Sequence, residues 1–456
     1  IPKRGSVADR RPTGVGVCGI LPSPNSADPP VKHALLVLSA ILICLQGFAK
    51  PLPEARPERQ GMSSERLDRV TDVARRLVDA DKLAGVVTLV ARNGRIVHES
   101  TVGSRSAADS TPLRTDDLFR IYSMTKPITA AAAMQLYEQG RFHLNDPVEK
   151  FVPEFANLTV HNKDGEPMPA EKKMTMLHLL THTGGLSYGF NPNDPVDQAY
   201  RAAKIWASRD LDHFAEIVAG IPLKFEPGSR WHYSVAVDVT GLVVQRISGQ
   251  PFDEYLEEHI FAPLGMDDTF FAVPEAKRDR FLANHFWNRQ ASKLIPFAQS
   301  EPGVAMSDYY NVTLYSGGGG LVSTAMDYMK FAEAMRAGGA YNKQRILSPK
   351  TVNYMTRNHL PASVTSVGSG ENPLAGQNER GFGFGLGFGL RTGAVTGGVI
   401  GSAGEFSWGG MAGTVFWVDP VEELVVVSMI QLLGSPWALR RDLHVAAYQS
   451  LLESYE

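Results

Sequence analysis

Ser123-Met124-Thr125-Lys126, followed by Pro127-Ile128-Thr129 and the run 130–133 of alanines, is the stretch that decides the fold. The pattern predicts a helix with a serine in its first turn and a lysine three residues later, on the same face. Residues 128–137 are apolar almost all round, which indicates a helix buried on every side. We therefore expect Lys126 to reach the Ser123 hydroxyl, since a neighbouring amine that takes its proton activates a serine. An ordinary helix N-cap is the alternative for Ser123.

The composition is that of a globular protein and argues against several kinds of partner. The chain has 456 residues, 43% of them hydrophobic, and a formal charge of -3. This is enough for a large core, and the charge is too mild to indicate nucleic acid or a membrane surface as partner. Its two cysteines, Cys18 and Cys44, both lie near the N-terminus, so the body of the protein can form no disulfide and no cysteine-ligated metal site.

The N-terminal region predicts export. A short basic segment, 31–33, precedes an apolar run from Ala34 to Leu45 and the small residues Gly47 and Ala49, which is typical of a secretory signal peptide over 31–49. An uncleaved anchor is the alternative, although the run is short for a membrane span. We expect residues 1–30 to be upstream or added sequence. The prediction is a periplasmic or secreted protein with no stable membrane association after signal cleavage.

Strand patterns lie at both ends of the chain and helical patterns lie in the middle. Ser63 and Ser64 begin a helix, and the turn Asn93-Gly94 is a strong hairpin signal. The segment 141–319 reads as mostly helical. The predicted helices lie at 174–181, 236–247, 253–261, 325–337 and 436–452, and the predicted strands at 85–91, 95–98, 381–388, 405–408, 413–418 and 423–431.

This arrangement predicts an α+β fold. The first hairpin and the last strands would form one antiparallel sheet, covered by the terminal helices, with a helical insert packed alongside. Residues 50–456 would then be one catalytic domain, with its α/β part at about 55–140 and 320–456 and the insert at about 141–319. A site between the two parts is expected.

Two further segments are candidate partners of Ser123. Tyr233 lies at a loop-to-helix junction, where a nearby lysine ammonium would lower its pKa and make it a base. A buried tyrosine with one hydrogen bond is the alternative. The segment Trp408-Gly409-Gly410-Met411 ends a predicted strand, and its glycines allow close approach to a ligand. Backbone N–H groups there and at Ser123 would form an oxyanion hole.

Gly185-Leu186-Ser187-Tyr188-Gly189 matches the nucleophile elbow of α/β-hydrolases, but no strand precedes it and no helix follows it, as that motif requires. We therefore do not expect Ser187 to be the nucleophile. His178 and His182 lie four residues apart and could suggest a metal pair, but no glutamate follows the first of them. Packed histidines with satisfied hydrogen bonds are the favoured interpretation.

The three elements at Ser123, Tyr233 and Trp408, in this order, resemble the serine β-lactamase and penicillin-binding-protein superfamily. Within its class C β-lactamase-like branch, the sequence is most similar to the family VIII carboxylesterases. The resemblance covers roughly residues 55–455. Further stretches that match that branch are 177–186, 263–266 and 318–324.

The resemblance implies a role for each matching residue. Ser123 becomes the acylated nucleophile, and Lys126 and Tyr233 its proton-transfer partners. The strand motif falls on Trp408-Gly409-Gly410, with an oxyanion N–H from Met411 beside that of Ser123. The chemistry implied needs no metal or other cofactor.

Two departures from the superfamily pattern indicate the substrate. Lactamases and peptidases carry Tyr-x-Asn and then Lys or His before Thr-Gly, whereas this chain has Val235 in place of the asparagine and Trp408 in place of the cation. An aromatic lining favours an uncharged ester, so we predict a carboxylesterase for short- to medium-chain esters. A β-lactamase or D-amino-acid peptidase, with weak cephalosporin hydrolysis, is the first alternative. A non-catalytic binding protein is the second.

Overall fold

Strands from both ends of the chain share one sheet in the computed structural model, which describes residues 52–297, 308–364, 367, 382–393 and 398–456. The strands in chain order are β1 Gly85–Arg92, β2 Arg95–Ser106, β3 Asp109–Pro112, β4 Phe119–Arg120, β5 Thr159–Val160, β6 Met168–Pro169, β7 Asn284–Asn288, β8 Lys293–Phe297, β9 Val322–Ser323, β10 Ala340–Tyr341, β11 Gln344–Arg345, β12 Phe382–Phe384, β13 Gly389–Arg391, β14 Phe406–Gly409, β15 Val415–Asp419 and β16 Leu424–Met429. Eight of them form an antiparallel sheet in the order β12-β13-β14-β15-β16-β1-β2-β3. The predicted α+β class is confirmed.

The helices lie mostly between the two groups of sheet strands. They are α1 Ser64–Val78, α2 Thr125–Glu138, α3 Met176–Leu180, α4 Pro195–Ala202, α5 Leu211–Ala219, α6 Ala236–Ser248, α7 Phe252–Leu256, α8 Ala325–Arg336, α9 Pro349–Met355 and α10 Leu439–Tyr448. The end of α7 continues as a π-helical turn, Glu257–Phe261, and a last helical turn, Ala262–Leu264. None of the described helices is both long and apolar enough to span a bilayer.

The central strand pair joins the two ends of the chain. Val87 on β1 lies opposite Met429 on β16, and β1 pairs on its other side with β2 through the predicted hairpin. Every residue of β1 is buried. Successive side chains point to opposite faces of a strand, so a strand buried throughout must be covered on both faces.

Helices cover both faces of the sheet. Val86 and Val90 pack in a cluster with apolar residues of α1 and α10, the first and last helices. Val87 and Leu89 join a larger cluster on the other face, where α2, α6 and α8 lie. The predicted cover by the terminal helices is therefore correct for one face, and the serine helix is buried against the other.

The predicted strand over 381–388 is wrong. Phe382–Phe384 and Gly389–Arg391 are two short antiparallel strands joined by a turn, and Gly381 lies outside the described residues. Gly387 in this turn has φ +87°, and a Cβ at that position would lie 2.5 Å from the Cβ of Ala130. The glycines thus let the chain reverse against α2, which period-two alternation did not reveal.

The region 141–319 is less uniformly helical than predicted. It contains α3 to α7, but also the hairpins β5–β6 and β7–β8. All described residues fall in one compact unit, so the division into an α/β part and an insert stays a prediction. The predicted signal peptide at 31–49 and the segment 1–30 lie outside the described residues.

Candidate active site

Ser123 lies where the chain turns sharply from a strand into the buried helix. β4 pairs with β9, and Tyr122–Met124 then forms one 3₁₀ turn directly before α2. Tyr122 has φ +42°, a left-handed conformation that is costly for a bulky residue, and its hydroxyl accepts a hydrogen bond from Asn284 at 3.0 Å. The serine therefore precedes α2 instead of occupying its first turn as predicted, and its backbone is held by contacts on both sides.

The structure brings Ser123, Lys126 and Tyr233 together. Lys126 Nζ lies 3.2 Å from Ser123 Oγ, and the Tyr233 hydroxyl donates to the same oxygen at 2.7 Å. Lys126 Nζ also donates to the carbonyl of Gly318 at 2.6 Å. The Lys126 side chain is almost fully buried in α2, and Tyr233 is buried just before α6. The serine hydroxyl thus has one potential proton acceptor and one proton donor.

The electrostatics differ from the sequence prediction in one respect. Burial lowers the pKa of Lys126 to about 7, and the Asp238 carboxylate opposes this shift. Burial raises the pKa of Tyr233, so the tyrosine stays protonated at neutral pH. The expectation that the lysine lowers the tyrosine pKa and makes it the base is therefore wrong. The amine is the group poised to accept a proton, and the phenol is the group poised to donate one.

Asp238 is a buried carboxylate behind this pair. Its Oδ1 accepts the backbone N–H of Gly318 at 3.0 Å and the hydroxyl of Ser316, and its Oδ2 lies 3.4 Å from the donating hydroxyl of Tyr188. A Cβ on Gly318 would lie 2.3 Å from Oδ2 of Asp238, so the close contact requires glycine. Asp238 therefore fixes the loop whose carbonyl holds the Lys126 amine.

The strand motif forms the opposite wall of the site. β14 ends at Gly409, and the N–H of Gly410 donates to the Thr414 carbonyl at 2.8 Å. A Cβ on Gly410 would lie 2.4 Å from the carbonyl oxygen of Ile121, so the glycine lets this strand end approach the chain that leads to the serine. Among the described turns and loops, the N–H groups of Ser123 and Met411 donate to no backbone carbonyl. They remain available to a ligand.

Trp408 and Tyr233 belong to an aromatic cluster. Their ring centroids lie 5.5 Å apart, and Trp408 also packs edge-on against Phe384 at 5.3 Å. The buried indole N–H of Trp408 makes no well-formed hydrogen bond within the described residues, although it lies close enough to the Tyr233 hydroxyl to oppose the rise of that pKa. His182 packs 4.8 Å from the Tyr233 ring and burial holds its pKa far below the usual range, which keeps the imidazole neutral.

Ser187 is in a different environment from Ser123. It is buried in a loop, its hydroxyl donates to the Asp197 carboxylate, and His232 Nε2 lies 3.3 Å away. The carboxylate contacts the serine itself, whereas in a catalytic triad it would orient the histidine. Asp197 also binds Lys224 at 2.9 Å. This serine anchors a loop, which agrees with the sequence interpretation.

The two histidines are likewise structural. His178 Nδ1 accepts the backbone N–H of Thr175 at 3.2 Å and closes a capping box at the start of α3. His182 lies beyond the end of α3, so the two are not on one helix as expected. Its Nδ1 accepts the N–H of Ser234 at 3.3 Å, but Nε2 has no partner among the described residues. In the described part of the chain no cluster of three or more His, Cys, Asp or Glu side chains is placed to hold a metal.

A cavity of about 530 Å³ opens over Ser123 and Tyr233. Its wall includes the aromatic residues Phe190, Trp408 and Trp437. Arg440 also lines it, which sequence reasoning missed, as it missed Asp238. The signal for Asp238 was an acidic residue in the first turn of the mainly apolar helix 236–247. Arg440 was missed because its closeness to Gly409 depends on tertiary packing, which sequence spacing does not show.

Comparison with known proteins identifies the family. The Beta-lactamase family model matches residues 70–450. The chain belongs to the Beta-lactamase family. Within this family it is 32% identical to Esterase EstB of Burkholderia gladioli over 370 residues, which cover 78% of this chain and 86% of that one. It is 33% identical to Protein Rv1367c of Mycobacterium tuberculosis over 364 residues, which cover 78% of this chain and 88% of that one.

The fold agrees with that of solved structures. EstCE1, a hydrolase with promiscuous acyltransferase activity, matches with a TM-score of 0.71 and 26% identity, over 84% of this chain and 99% of that one. The predicted resemblance of this Beta-lactamase family member to the family VIII esterases is thereby confirmed.

Proposed function

We propose that this protein is a serine carboxylesterase that hydrolyses short- to medium-chain carboxylic esters through an acyl-enzyme on Ser123. The observation that carries the proposal is the position of the Ser123 hydroxyl, 3.2 Å from the Lys126 amine and 2.7 Å from the Tyr233 hydroxyl. EstB is named as an esterase and EstCE1 as a hydrolase, and both support an ester substrate.

In the acylation step, neutral Lys126 takes the proton of Ser123 as Oγ attacks the ester carbonyl. The N–H groups of Ser123 and Met411 stabilise the oxyanion that forms. The tetrahedral intermediate collapses, and the leaving alkoxide takes a proton from Tyr233. The Lys126 ammonium then reprotonates the phenolate, so both side chains return to their starting states and the released product is an alcohol.

In the deacylation step, water takes the place of the alcohol. Lys126 accepts a proton from the attacking water, and the same two N–H groups stabilise the second oxyanion. Tyr233, which donates to Ser123 Oγ in the free enzyme, returns a proton to that oxygen as it leaves the acyl carbon. The carboxylic acid is released and the lysine again reprotonates the tyrosine.

The strand position that carries a cation in lactamases and peptidases holds Trp408, which is buried among aromatic rings. That strand position therefore supplies no cation for a substrate carboxylate, and the similarity to Esterase EstB supports esters over β-lactams. Weak cephalosporin hydrolysis remains the alternative on the shared scaffold.

The test compares two substrates on one enzyme preparation. Hydrolysis of p-nitrophenyl butyrate and of a chromogenic cephalosporin is followed with wild type, Ser123→Ala and Ser187→Ala. Fast ester cleavage, slow or absent cephalosporin cleavage and loss of both in Ser123→Ala support the proposal. A higher rate with the cephalosporin than with the ester would indicate a lactamase. If ester hydrolysis is retained in Ser123→Ala but lost in Ser187→Ala, Ser187 is the nucleophile.

We also propose a periplasmic or secreted location, which the apolar run 34–45 supports. Fractionation of cells that express the complete chain, followed by N-terminal sequencing of the active fraction, tests it. Active enzyme in the cytoplasm with an intact leader contradicts the proposal.

A further inference from the structure

Arg440 brings a positive charge to the pocket that contains Ser123. Among the described residues that line the cavity, it is the one charged side chain. It stands beside the strand motif, since a Cβ on Gly409 would lie 3.8 Å from its Nη1 atom. The wall around it includes the apolar residues Trp437 and Leu439, and its polar members are uncharged. Arg440 is therefore the one charged side chain among the described residues of the cavity wall.

The guanidinium of Arg440 has no carboxylate partner within the described part of the chain. Its Nη2 donates to the hydroxyl of Ser407 at 2.9 Å, and no described acidic oxygen lies within ion-pair distance of it. The acidic group that acts electrostatically on Arg440 is Glu405, whose Oε2 accepts hydrogen bonds from Tyr448 at 2.8 Å and lies 2.9 Å from His444 Nε2. Arg440 thus keeps most of its five N–H donors for another partner.

This environment favours an anion. Burial lowers the pKa of Arg440, with Glu405 acting in the opposite direction, so the cation is partly desolvated without a bound counter-charge. A carboxylate can accept two parallel hydrogen bonds from a guanidinium, which gives both charge and geometric complementarity. Arg440 also lies in the first turn of α10, where the helix dipole adds positive potential.

We propose that Arg440 binds a carboxylate of the substrate, so that the preferred esters carry a free carboxylate away from the bond that is cleaved. The inference rests on the proposed esterase function and narrows its substrate class to half-esters of dicarboxylic acids and esters of carboxylated alcohols. The cation lies on helix α10 beside Gly409, so the tryptophan at position 408 does not make the pocket neutral.

Two matched substrate pairs test the inference. Mono-p-nitrophenyl glutarate and p-nitrophenyl valerate differ by a carboxylate on the acyl side, and 4-acetoxybenzoate and 4-methylphenyl acetate differ by one on the alcohol side. Wild type is expected to prefer the charged member of at least one pair by about tenfold or more in kcat/KM. Arg440→Gln is expected to reduce that preference by about 10- to 100-fold, mainly through KM.

Arg441→Gln is the matched control, since the Arg441 side chain is 66% exposed and faces Asp442. It should leave the charged-to-neutral ratio of both pairs as in wild type. Arg440→Lys keeps the positive charge but lacks the two parallel N–H donors of a guanidinium, so it should retain part of the preference for the charged ester. On wild type alone, raising the ionic strength should increase KM for the charged ester and not for its neutral partner, because exposed parts of the ion pair are screened.

The outcomes separate the two proposals. Equal kcat/KM for charged and neutral members in wild type, or a preference unchanged in a folded Arg440→Gln variant, overturns the Arg440 inference while leaving the esterase function intact. Failure to hydrolyse any of the four esters overturns the proposed function itself. If Arg440→Gln does not fold, the salt dependence of wild type and the Arg440→Lys ratio decide.

Discussion

Asp238 and Lys126 both bind Gly318, one through its N–H group and the other through its carbonyl. The Asp238 carboxylate accepts the N–H of Gly318 at 3.0 Å, and the Gly318 carbonyl accepts the Lys126 amine at 2.6 Å. One buried carboxylate therefore acts on the lysine in two ways, through the loop that fixes its position and through the electric field that opposes the effect of burial on its pKa. Its effect on the lysine can be measured, as can the roles of Tyr233, Gly318 and Ser187.

The first concerns pH. Because the pKa of Lys126 is lowered to about 7, the fraction of neutral amine rises with pH, and kcat/KM for a neutral ester should rise with a midpoint near pH 7. Asp238→Asn keeps the acceptor for Gly318 but removes the charge that stabilises the ammonium. The midpoint should then move to lower pH, because the ammonium loses the charge that stabilises it. Asp72→Asn on the exposed face of α1 is the control, and a midpoint that stays in place or rises in Asp238→Asn contradicts the assignment.

The second concerns Tyr233. Tyr233→Phe removes the hydroxyl that donates to Ser123 but keeps the ring contacts with Trp408 and His182, so kcat should fall by about a hundredfold to ten-thousandfold with little change in thermal stability. Steady-state kinetics and a melting curve measure both. Tyr255→Phe is the matched control, since that buried hydroxyl has no partner in the described structure. A decrease in kcat of less than tenfold in Tyr233→Phe would show that the Tyr233 hydroxyl is not needed for proton transfer.

The third concerns Gly318. Gly318→Ala places a methyl group 2.3 Å from Oδ2 of Asp238 and 2.8 Å from the Tyr188 hydroxyl, so the loop must shift and the Lys126 amine loses its acceptor. We expect a loss of kcat larger than the loss of substrate affinity. Gly220→Ala serves for comparison, because its Cβ would meet nothing closer than 3.5 Å and its φ of -78° suits alanine. Equal activity of Gly318→Ala and Gly220→Ala would show that catalysis does not depend on the position of the loop that contains Gly318.

The fourth separates stability from chemistry at Ser187. Ser187→Ala removes the hydroxyl between Asp197 and His232, which should cost about 1–3 kcal/mol of unfolding free energy, because the buried carboxylate loses a donor. The rate per folded molecule should stay within a factor of about two of wild type. Urea unfolding and active-site titration measure the two quantities. A stable but inactive variant would contradict the structural role of this serine.

Sequence patterns predicted most of the scaffold. The Asn93-Gly94 hairpin and the all-round apolar run after Ser123 express strong local preferences, and both are found where they were expected. The segment 381–388 was misjudged because alternation of glycine and phenylalanine suits a strand, while the left-handed Gly387 and its contact with Ala130 depend on tertiary packing.

The sequence predicted the motif residues of the site but not the neighbouring residues that set their protonation states. The positions of Ser123, Lys126 and Tyr233 follow from spacing and resemblance, and the structure places them within hydrogen-bonding distance. Their protonation states depend on burial, which many elements create together, and on Asp238, whose electrostatic effect on Lys126 arises from the tertiary structure. For this reason the pKa of Tyr233 moves in the direction opposite to the one that a neighbouring lysine alone would cause.

Because β1 lies beside β16, a ribosome must complete most of the chain before the centre of the sheet can close. The serine helix is synthesised early, whereas Trp408, Met411 and Arg440 are among the last residues to emerge. A nascent or prematurely terminated chain therefore displays Ser123 without the strand that supplies the second oxyanion N–H, and should have no hydrolytic activity.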